Sequence, residues 1–272
     1  MTVRIDLHLH STASDGSLAP ADVVRAAARV GLNVIALADH DTTAGVPAAI
    51  DAARDAVRVI PALEVSTSDM GSELHILGYF VDPTHAALLE YTRSAALRRE
   101  ERVRAMLDRL DALGMDLSMD DVLAEAPDGT QMLGRPHVAR ALVRRGHVGS
   151  LTEAFDRYLA DGRPAFVPMD LITPAHAIEL IHMAGGLAVW AHPSLEGVEA
   201  EARRLAGLGL DGIECFRPRV TPEDARRLHA LATSLGLIAS GGSDWHGDWS
   251  GPLGTFHVAR EQVPELAERA GL

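Results

Sequence analysis

The sequence predicts an α/β fold in which a barrel of about seven βα units is interrupted by a helical insertion. Strand and helix patterns alternate in the first 82 residues and again from residue 166, and the stretch between has helical patterns without a convincing strand. Such alternation is typical of βαβ units in a parallel sheet. We therefore expect a barrel formed by 1–82 and 166–272, with 83–165 as a helical cap domain.

The N-terminal part contains two predicted helices and four predicted strands. The helix over Pro20–Val30 has proline in its first turn and Gly31 after its end, and the helix over Thr43–Ala56 is rich in alanine. The strands are short apolar runs, which suit buried positions. They are Val3–Leu9, Asn33–Ala38, Val57–Val65 and Glu73–Phe80.

The insertion opens with a long predicted helix, His85–Leu113, whose charged run Arg98–Arg102 we expect to be an exposed face. Three more helices are predicted over Met119–Ala126, Pro136–Arg144 and Leu151–Leu159. Helix and strand then alternate over Thr173–Ala184, Leu187–Ala191, Val198–Leu208, Gly212–Phe216, Pro222–Leu235 and Leu237–Gly241. Thr255–Val258 is the last predicted strand, and a helix follows it.

Composition excludes several classes of protein. The 272 residues are 47% hydrophobic and 23% charged, as in ordinary globular domains. The single cysteine, Cys215, excludes an internal disulfide and a thiolate zinc cluster. Without a signal-peptide pattern or an apolar run near 18 residues, we expect a cytoplasmic protein that does not enter a membrane. The net charge of −13 disfavours a stable complex with nucleic acid.

Side chains that can bind metals recur at the ends of the predicted strands. In a βα barrel these ends meet on one face, where active sites lie. His8 and His10 have the i, i+2 spacing that places two side chains on one side of a strand. The full set is His8, His10, Asp15, His40, Glu64, His75, His192, Asp244 and His246. Nitrogen and oxygen ligands without sulfur suit Zn²⁺, Mn²⁺ or Fe²⁺, and nine ligands would serve two or three ions.

Neighbouring residues are expected to fix these ligands. Asp39 and Asp41 flank His40, and a carboxylate partner commonly orients a ligating histidine. Pro193 follows His192, and a residue before proline favours extended geometry.

Six motifs, in this order, resemble the PHP (polymerase and histidinol phosphatase) superfamily: HLHSTASDG, ADHDTTAG, ALEVS, LHILGYF, WAHPS and GGSDWHG. The insertion, with GRPHVAR and YLADGRPAFVP, is similar to the phosphoesterase branch that includes nucleoside 3′,5′-bisphosphate phosphatases. The resemblance implies a distorted (β/α)7 barrel and a metal-dependent phosphoric monoester hydrolase. It also implies a trinuclear site, with Mn²⁺ as the first expectation and Fe²⁺ or Zn²⁺ as alternatives.

Carried over residue by residue, the resemblance implies three ion sites that share one bridging carboxylate. One ion would be held by His8, His10, Glu64 and Asp244. Glu64 would bridge to a second ion, held also by His75 and His192. The third would be held by Asp15, His40 and His246. The candidate catalytic residues are Asp15 and His192.

The insertion offers candidate substrate contacts. Pro136 suits the first turn of a helix, whose N-terminus is a natural anion site, and Arg135 adds a bidentate cation beside it. His137 and Arg163 are further candidates. One departure from the resembling branch is Leu195, where a basic residue often follows the AHP motif; Arg217 and Arg219 could compensate.

The expected substrate is a small phosphorylated molecule, best a nucleotide. The best-supported reaction is hydrolysis of the 3′-phosphate of nucleoside 3′,5′-bisphosphates by a metal-activated hydroxide. A histidinol-phosphate phosphatase and a 5′-3′ exonuclease on short RNA remain alternatives, because one barrel serves several substrates. A non-catalytic barrel is a further alternative, and the intact set of nine ligands argues against it.

Overall fold

One curved sheet organises the molecule. The computed structural model describes residues 3–54, 56–69, 72–127, 130, 132–247 and 250–272, so Asp55 of the predicted helix 43–56 lies outside the described residues. Within the described part, eight strands run in the order β7-β6-β5-β4-β3-β2-β1-β8. They are β1 (Arg4–Leu9), β2 (Val34–Leu37), β3 (Arg58–Asp69), β4 (Ser72–Tyr79), β5 (Leu187–Trp190), β6 (Gly212–Phe216), β7 (Ile238–Gly241) and β8 (Val258–Ala259).

The helices surround this sheet or form the insertion. Those of the barrel are α1 (Pro20–Arg29), α2 (Val46–Ala53), α7 (Pro174–Met183), α8 (Val198–Gly207), α9 (Pro222–Ser234) and α10 (Pro264–Arg269). Those of the insertion are α3 (Ala86–Ala112), α4 (Met119–Leu123), α5 (Arg135–Arg144) and α6 (Leu151–Ala154). The predicted helix over Leu151–Leu159 continues beyond α6 as a π-helical turn, Phe155–Leu159.

The sheet is not all parallel, in contrast to the expectation from alternation. β1, β2 and β3 are parallel, as are β5, β6 and β7, but β4 is antiparallel to both β3 and β5. β3 ends at Asp69 and β4 begins at Ser72. So short a connection cannot hold a crossover helix, and the chain must therefore reverse direction.

The sheet curves into a nearly closed barrel because its two ends meet beside β1. Trp245, after β7, bridges Leu9 in parallel, and the N–H of His10 donates to the carbonyl of Trp245 at 2.9 Å. A Cβ at Gly242 would lie 2.4 Å from the Cβ of His8, so only glycine permits this approach. The other half of β1 pairs with β8, with Ile5 opposite Val258. The distorted α/β barrel implied by the sequence is thereby confirmed.

Separate apolar clusters support the barrel and the insertion. Ile5, Leu7 and Val34 belong to a cluster between the strands and α10. Another cluster is built only from residues between 103 and 165, including Met106 and Leu142. The insertion thus has an apolar core of its own, although its division from the barrel as a domain stays a prediction.

Two expectations from composition concern single features. Cys215 is buried in the apolar cluster behind β6, and burial raises the pKa of its thiol to about 12, as suits a core residue. Among the described residues, no helix combines the length and apolar character that crossing a bilayer requires.

Candidate metal centre

The nine predicted metal-ligating side chains converge at one end of the barrel, where the parallel strands β1, β2, β5 and β7 end and the antiparallel strand β4 begins. His8 and His10 lie on and just after β1, His40 follows β2, Glu64 lies in β3 and His75 in β4. The remaining four lie in the loops that follow β1, β5 and β7: Asp15, His192, Asp244 and His246. The structure therefore brings together residues separated by more than 200 positions in the sequence.

Glu64 lies at the centre of the cluster. Its Oε1 is 2.9 Å from Nδ1 of His75 and 2.9 Å from Nε2 of His192. Its Oε2 is 3.0 Å from Nδ1 of His40, 3.3 Å from Nε2 of His8 and 3.4 Å from Nε2 of His10. A carboxylate with imidazoles on both oxygens has the position that a bridging ligand would need.

Three groups of side chains could each hold a metal ion. The first is His8, His10, Glu64 and Asp244, which is the set implied by the resemblance. The second is His10, Asp15, His40 and His246, which adds His10 to the implied set. The third is His40, Glu64 and His75. In this third group the resemblance implied His192, and not His40, beside Glu64 and His75. Nε2 of His192 lies 3.2 Å from Nδ1 of His75.

The donor atoms of this cluster fit divalent ions. Five buried atoms have no hydrogen-bond partner among the described residues: Nε2 of His8, Nδ1 and Nε2 of His10, Nδ1 of His40 and Oε2 of Glu64. Leaving buried polar atoms unsatisfied is costly, and native proteins rarely do so. Nitrogen and oxygen donors that point at each other without hydrogen bonds are the arrangement expected of metal ligands.

Burial and mutual charge set the protonation of these groups. Burial works to raise the pKa of Glu64, but the charges of His40, His75 and His8 outweigh it and hold that pKa well below its usual value. Burial, followed by the charge of His246, lowers the pKa of His10 to about 3. Glu64 is therefore ionised and His10 neutral, which are the forms that bind metals. Burial works to lower the pKa of His8, His75 and His246, but the surrounding carboxylates outweigh it and raise the pKa of these three imidazoles, so an ion would have to displace their protons.

Asp15 contacts two histidines of the cluster. Its Oδ1 is 3.3 Å from Nε2 of His246, and its Oδ2 is 3.9 Å from Nε2 of His40. Burial works to raise the pKa of Asp15, but His246 and His40 outweigh it and hold it well below its usual value. Asp15 is thus an anion that can act as a ligand or accept a proton.

Glu214, a residue that the sequence analysis did not single out, holds two of the candidate ligands. Its Oε1 lies 3.0 Å from Nδ1 of His8, and its Oε2 accepts a hydrogen bond from the N–H of His192 at 2.7 Å. Such partners fix the tautomer and direction of a ligating imidazole. The signal in the sequence was a carboxylate in the middle of a buried strand, GIECF.

The two carboxylates beside His40 act elsewhere, so their expected role is wrong. Asp39 accepts hydrogen bonds from the N–H and Oγ of Ser11, at 2.7 Å and 2.6 Å. Asp41 pairs with Arg99 and accepts from the N–H of Ser66. Asp39 fixes the loop after β1, and Asp41 ties α3 to the barrel.

The expected extended geometry of His192 is also wrong. Its φ is +30°, and Asp244 has a φ of +53°. Non-glycine residues in this region are strained, and such strain concentrates at functional sites. The hydrogen bond from the His192 N–H to Glu214 and the contact of its ring with Glu64 compensate for the local preference before proline.

The candidate substrate residues separate in the structure. Arg135 borders a cavity of about 130 Å³ that is also lined by Asp15, His40 and His75. His137 is buried, and its Nδ1 accepts a hydrogen bond from the N–H of Gly134, so it caps α5. Arg163 is exposed and does not line that cavity. The roles of all three stay predictions.

Two arginines of α3 were misassigned to an exposed face. Arg99 and Arg102 are buried, and both line the same cavity as Arg135. Their i, i+3 spacing within a charged run was the available signal, because it places two cations on one side of a helix.

The two basic residues after β6 lie outside this cavity. Arg217 donates to the carbonyl of Pro193 at 2.6 Å, so it holds the loop that contains His192. Arg219 and Leu195 are exposed.

Comparison with known proteins assigns this centre to a family. The PHP domain family matches residues 6–127. The chain is 38% identical over 252 residues to a 5′-3′ exoribonuclease from Haemophilus influenzae, covering 90% of this chain and 91% of the relative. It is 34% identical over 269 residues to a 3′,5′-nucleoside bisphosphate phosphatase from Chromobacterium violaceum, covering 97% and 93%.

A solved structure agrees with this assignment. It comes from Bifidobacterium adolescentis, was assigned as a metal-dependent phosphoesterase, and is 30% identical with a TM-score of 0.87, covering 97% of this chain and 96% of that one. Convergent ligands, barrel and relatives therefore agree: the chain belongs to the PHP domain family and is a metal-dependent phosphoesterase.

Proposed function

We propose that the protein hydrolyses the 3′-phosphate of nucleoside 3′,5′-bisphosphates, using two or three divalent ions, with Mn²⁺ as the first candidate. The observation that carries the reaction is Glu64, a buried carboxylate with imidazoles on both oxygens at 2.9–3.4 Å. The nucleotide is supported by the bisphosphate phosphatase from Chromobacterium violaceum, which this chain matches over 97% of its length.

Eight of the nine side chains would hold the ions in the three groups described above, and His192, whose Nε2 lies 2.9 Å from Oε1 of Glu64, would join the group of Glu64 and His75. Bound divalent ions would supply electrophilic chemistry, polarising phosphoryl oxygens and lowering the pKa of water so that it can attack phosphorus. The chain's own contribution is a buried, ordered set of donors whose direction Glu214 helps to fix. Asp15, an anion on the cavity side, would accept or orient a proton at the attacking oxygen.

His192 has a different place in this proposal. Its Nε2 points at Glu64, so its first role would be that of a ligand. Its side chain is nevertheless the most exposed of the cluster's imidazoles, which leaves it within reach of a leaving oxygen. As a secondary role, His192 would donate a proton to the leaving group only in a state in which its Nε2 is protonated and does not bind an ion.

A second candidate is 5′-3′ hydrolysis of short RNA. It is favoured by the exoribonuclease from Haemophilus influenzae, which is 38% identical to this chain. The two reactions share a nucleotide with phosphates on both sides of one ribose, and they differ in whether the attacked phosphate is a monoester or a diester. The net charge of −13 favours the small substrate over a long polyanion.

The test is a comparison of substrates on the Mn²⁺-loaded protein. We expect phosphate release from adenosine 3′,5′-bisphosphate, with AMP as the product, to exceed release from AMP and from histidinol phosphate by at least about tenfold in kcat/KM, which is 1.4 kcal/mol of transition-state preference. A 5′-phosphorylated trinucleotide RNA, followed by nucleotide release, measures the second candidate. A higher kcat/KM on the RNA or on histidinol phosphate would overturn the proposal.

A matched pair of variants separates this activity from a contaminating phosphatase. Asp15→Asn removes a cluster carboxylate, whereas Asp51→Asn makes the same change at an exposed position of α2. We expect at least about a hundredfold loss in kcat for the first, as for removal of a group that acts on the transition state, and no change for the second. Equal activity in the two variants would show that the phosphate release comes from another protein.

A further inference from the structure

A small cavity separates the metal centre from the insertion. Its volume is about 130 Å³. Its lining includes candidate metal ligands, the carboxylate of Glu73 and three guanidinium groups, those of Arg99, Arg102 and Arg135. Positive groups facing such a centre across a cavity suit a ligand with negative charge at more than one place.

Two of these arginines already pair with carboxylates. Arg99 forms a buried ion pair with Asp41, with Nη2 2.5 Å from Oδ2. Nη1 of Arg135 lies 2.8 Å from Oδ1 of Asp161, a side chain that is 72% exposed. An ion pair with an exposed partner is weak and screened by salt, so Arg135 remains available to another anion.

Arg102 has no carboxylate partner within the described ranges. It is 8% exposed, its Nε donates to the carbonyl of Val167 at 2.7 Å, and its Nη2 has no hydrogen-bond partner among the residues that the structure describes. Its guanidinium carbon lies 5.7 Å from the ring centroid of Phe166, the same distance as that of Arg135. Burial, followed by the charge of Arg135, lowers the pKa of Arg102 to about 10.

This arrangement is unfavourable without an anion. A buried charged donor without an acceptor loses its hydration, and two neighbouring cations repel each other. The charge of Glu73 favours the charged form of Arg102 but does not outweigh its burial. A phosphate group satisfies both arginines, because guanidinium groups bind its oxygens with paired, charge-assisted hydrogen bonds.

We propose that Arg102, together with Arg135, binds a second, non-reacting phosphate of the substrate and thereby selects substrates with two phosphate groups. This inference rests on the proposed function, because Arg102 would give that function its preference for bisphosphates.

The position of Glu73 separates this subsite from the reacting phosphate. Its Oε1 lies 3.2 Å from Nε2 of His75, and its Oε2 lies 4.0 Å from Nη2 of Arg135. The carboxylate of Glu73 therefore lies between Arg135 and His75, a candidate ligand. An anion on Arg102 and Arg135 is thus a different phosphate from the one that would contact the ions.

The larger cavity beside His192 does not offer the same chemistry. Its volume is about 590 Å³, and its only arginine or lysine among the described residues is Arg204. Arg204 is paired on both sides, with Asp69 at 2.7 Å and with Glu201 at 2.6 Å. This cavity lies beside the loop that follows the AHP motif, where a basic residue was expected. Because Arg204 is already paired, we assign the second phosphate to the arginines of the insertion.

The test uses the Mn²⁺-loaded full chain with Arg102→Met, which keeps the stem against Phe166 and removes the charge. The matched control is Arg104→Met, two residues along α3, where the arginine is exposed and pairs with Glu100. Two substrates differ only in the second phosphate: adenosine 3′,5′-bisphosphate and adenosine 3′-monophosphate. We expect Arg102→Met to lower kcat/KM on the first by about 10- to 100-fold, the usual effect of losing charged hydrogen bonds. On the second, the change should stay within about twofold, as for the control.

Binding of AMP, which keeps the 5′-phosphate and lacks the 3′-phosphate, gives an independent readout by calorimetry. We expect Arg102→Met to raise the Kd for AMP at least about tenfold, the equivalent of one charged hydrogen bond, and Arg104→Met to leave it unchanged. Equal losses on the two substrates, or an unchanged Kd for AMP, would overturn the inference. If the wild type hydrolyses neither substrate while the Kd for AMP still depends on Arg102, the proposed reaction fails and the phosphate subsite stands.

Discussion

Glu214 is a single buried residue that orders two candidate ligands of the proposed metal centre without being one of the nine. Among the described residues, Glu214 forms no hydrogen bond with a carboxylate of the cluster. It does fix the ring of His8 and the backbone of His192. These two ligands lie on strands that are far apart in the sheet order. The precision of the centre therefore depends on a charge held behind it, because ligating imidazoles need a partner for their second nitrogen.

We expect Glu214→Gln to weaken metal binding by about 10- to 100-fold, the usual effect of losing such a partner. The amide of glutamine can accept from one of its two partners but not from both, so either His8 or His192 loses its fixed direction. The measurement is a Mn²⁺ titration of the chelator-treated protein by calorimetry. Glu199→Gln, the same change in an exposed pair on α8, is the control. Equal affinities in the two variants would contradict the role assigned to Glu214.

Helix α3 is attached to the barrel through polar contacts as much as through apolar ones. Arg99 pairs with Asp41, and Tyr91 donates to the same carboxylate at 2.5 Å. The existence of this helix was predictable from its length and periodicity. Its buried arginines were not, because a charged run on a helix is usually solvated and Asp41, the partner of Arg99, lies far back in the sequence. Only the tertiary contact shows that part of the charged face is turned inward.

We expect Arg99→Met to lower the free energy of unfolding by about 3 kcal/mol, because it leaves Asp41 buried without its cation. Arg93→Met, which breaks an exposed pair with Glu90 on the same helix, should change it by less than about 1 kcal/mol. Urea denaturation followed by circular dichroism measures both. The double variant Asp41→Asn with Arg99→Met should cost less than the sum of the single changes. Strict additivity would mean that the pair does not stabilise the docking of α3.

At the scale of the whole molecule, the strand-end ligands could be predicted because the barrel topology itself collects them. His8, His40, Glu64 and His75 were each assigned from their place after or within a strand, and all lie together. The antiparallel direction of β4 was not predictable from periodicity, because it depends on the length of the connection from β3. The closure of the barrel was not predictable either, because it depends on the close approach of Gly242 to His8. The contacts that orient the candidate ligands from behind, such as those of Glu214, depend on the same long-range packing and could not be predicted from the sequence.

A centre with so many buried donors should make stability depend on metal. A ligand that binds only the folded state stabilises it by about 2.7 kcal/mol at one hundred times its Kd, which for a chain of this size is a rise in Tm of roughly 5–10 °C. We expect this rise when Mn²⁺ is added to chelator-treated protein in a calorimetric scan. Asp244→Asn should reduce the rise, and Asp51→Asn should not. An identical Tm with and without Mn²⁺ would refute metal binding at this centre.

The closure of the barrel beside β1 also fixes when the enzyme can first work during its synthesis. Asp244 and His246 lie on the segment that joins the far edge of the sheet to β1, so they reach the other ligands only after nearly the whole chain has left the ribosome. A product that stops before Asp244 keeps seven of the nine ligands, since only Asp244 and His246 are missing. Such a fragment cannot complete the ring of strands. We therefore expect premature termination to yield an inactive chain rather than an uncontrolled hydrolase.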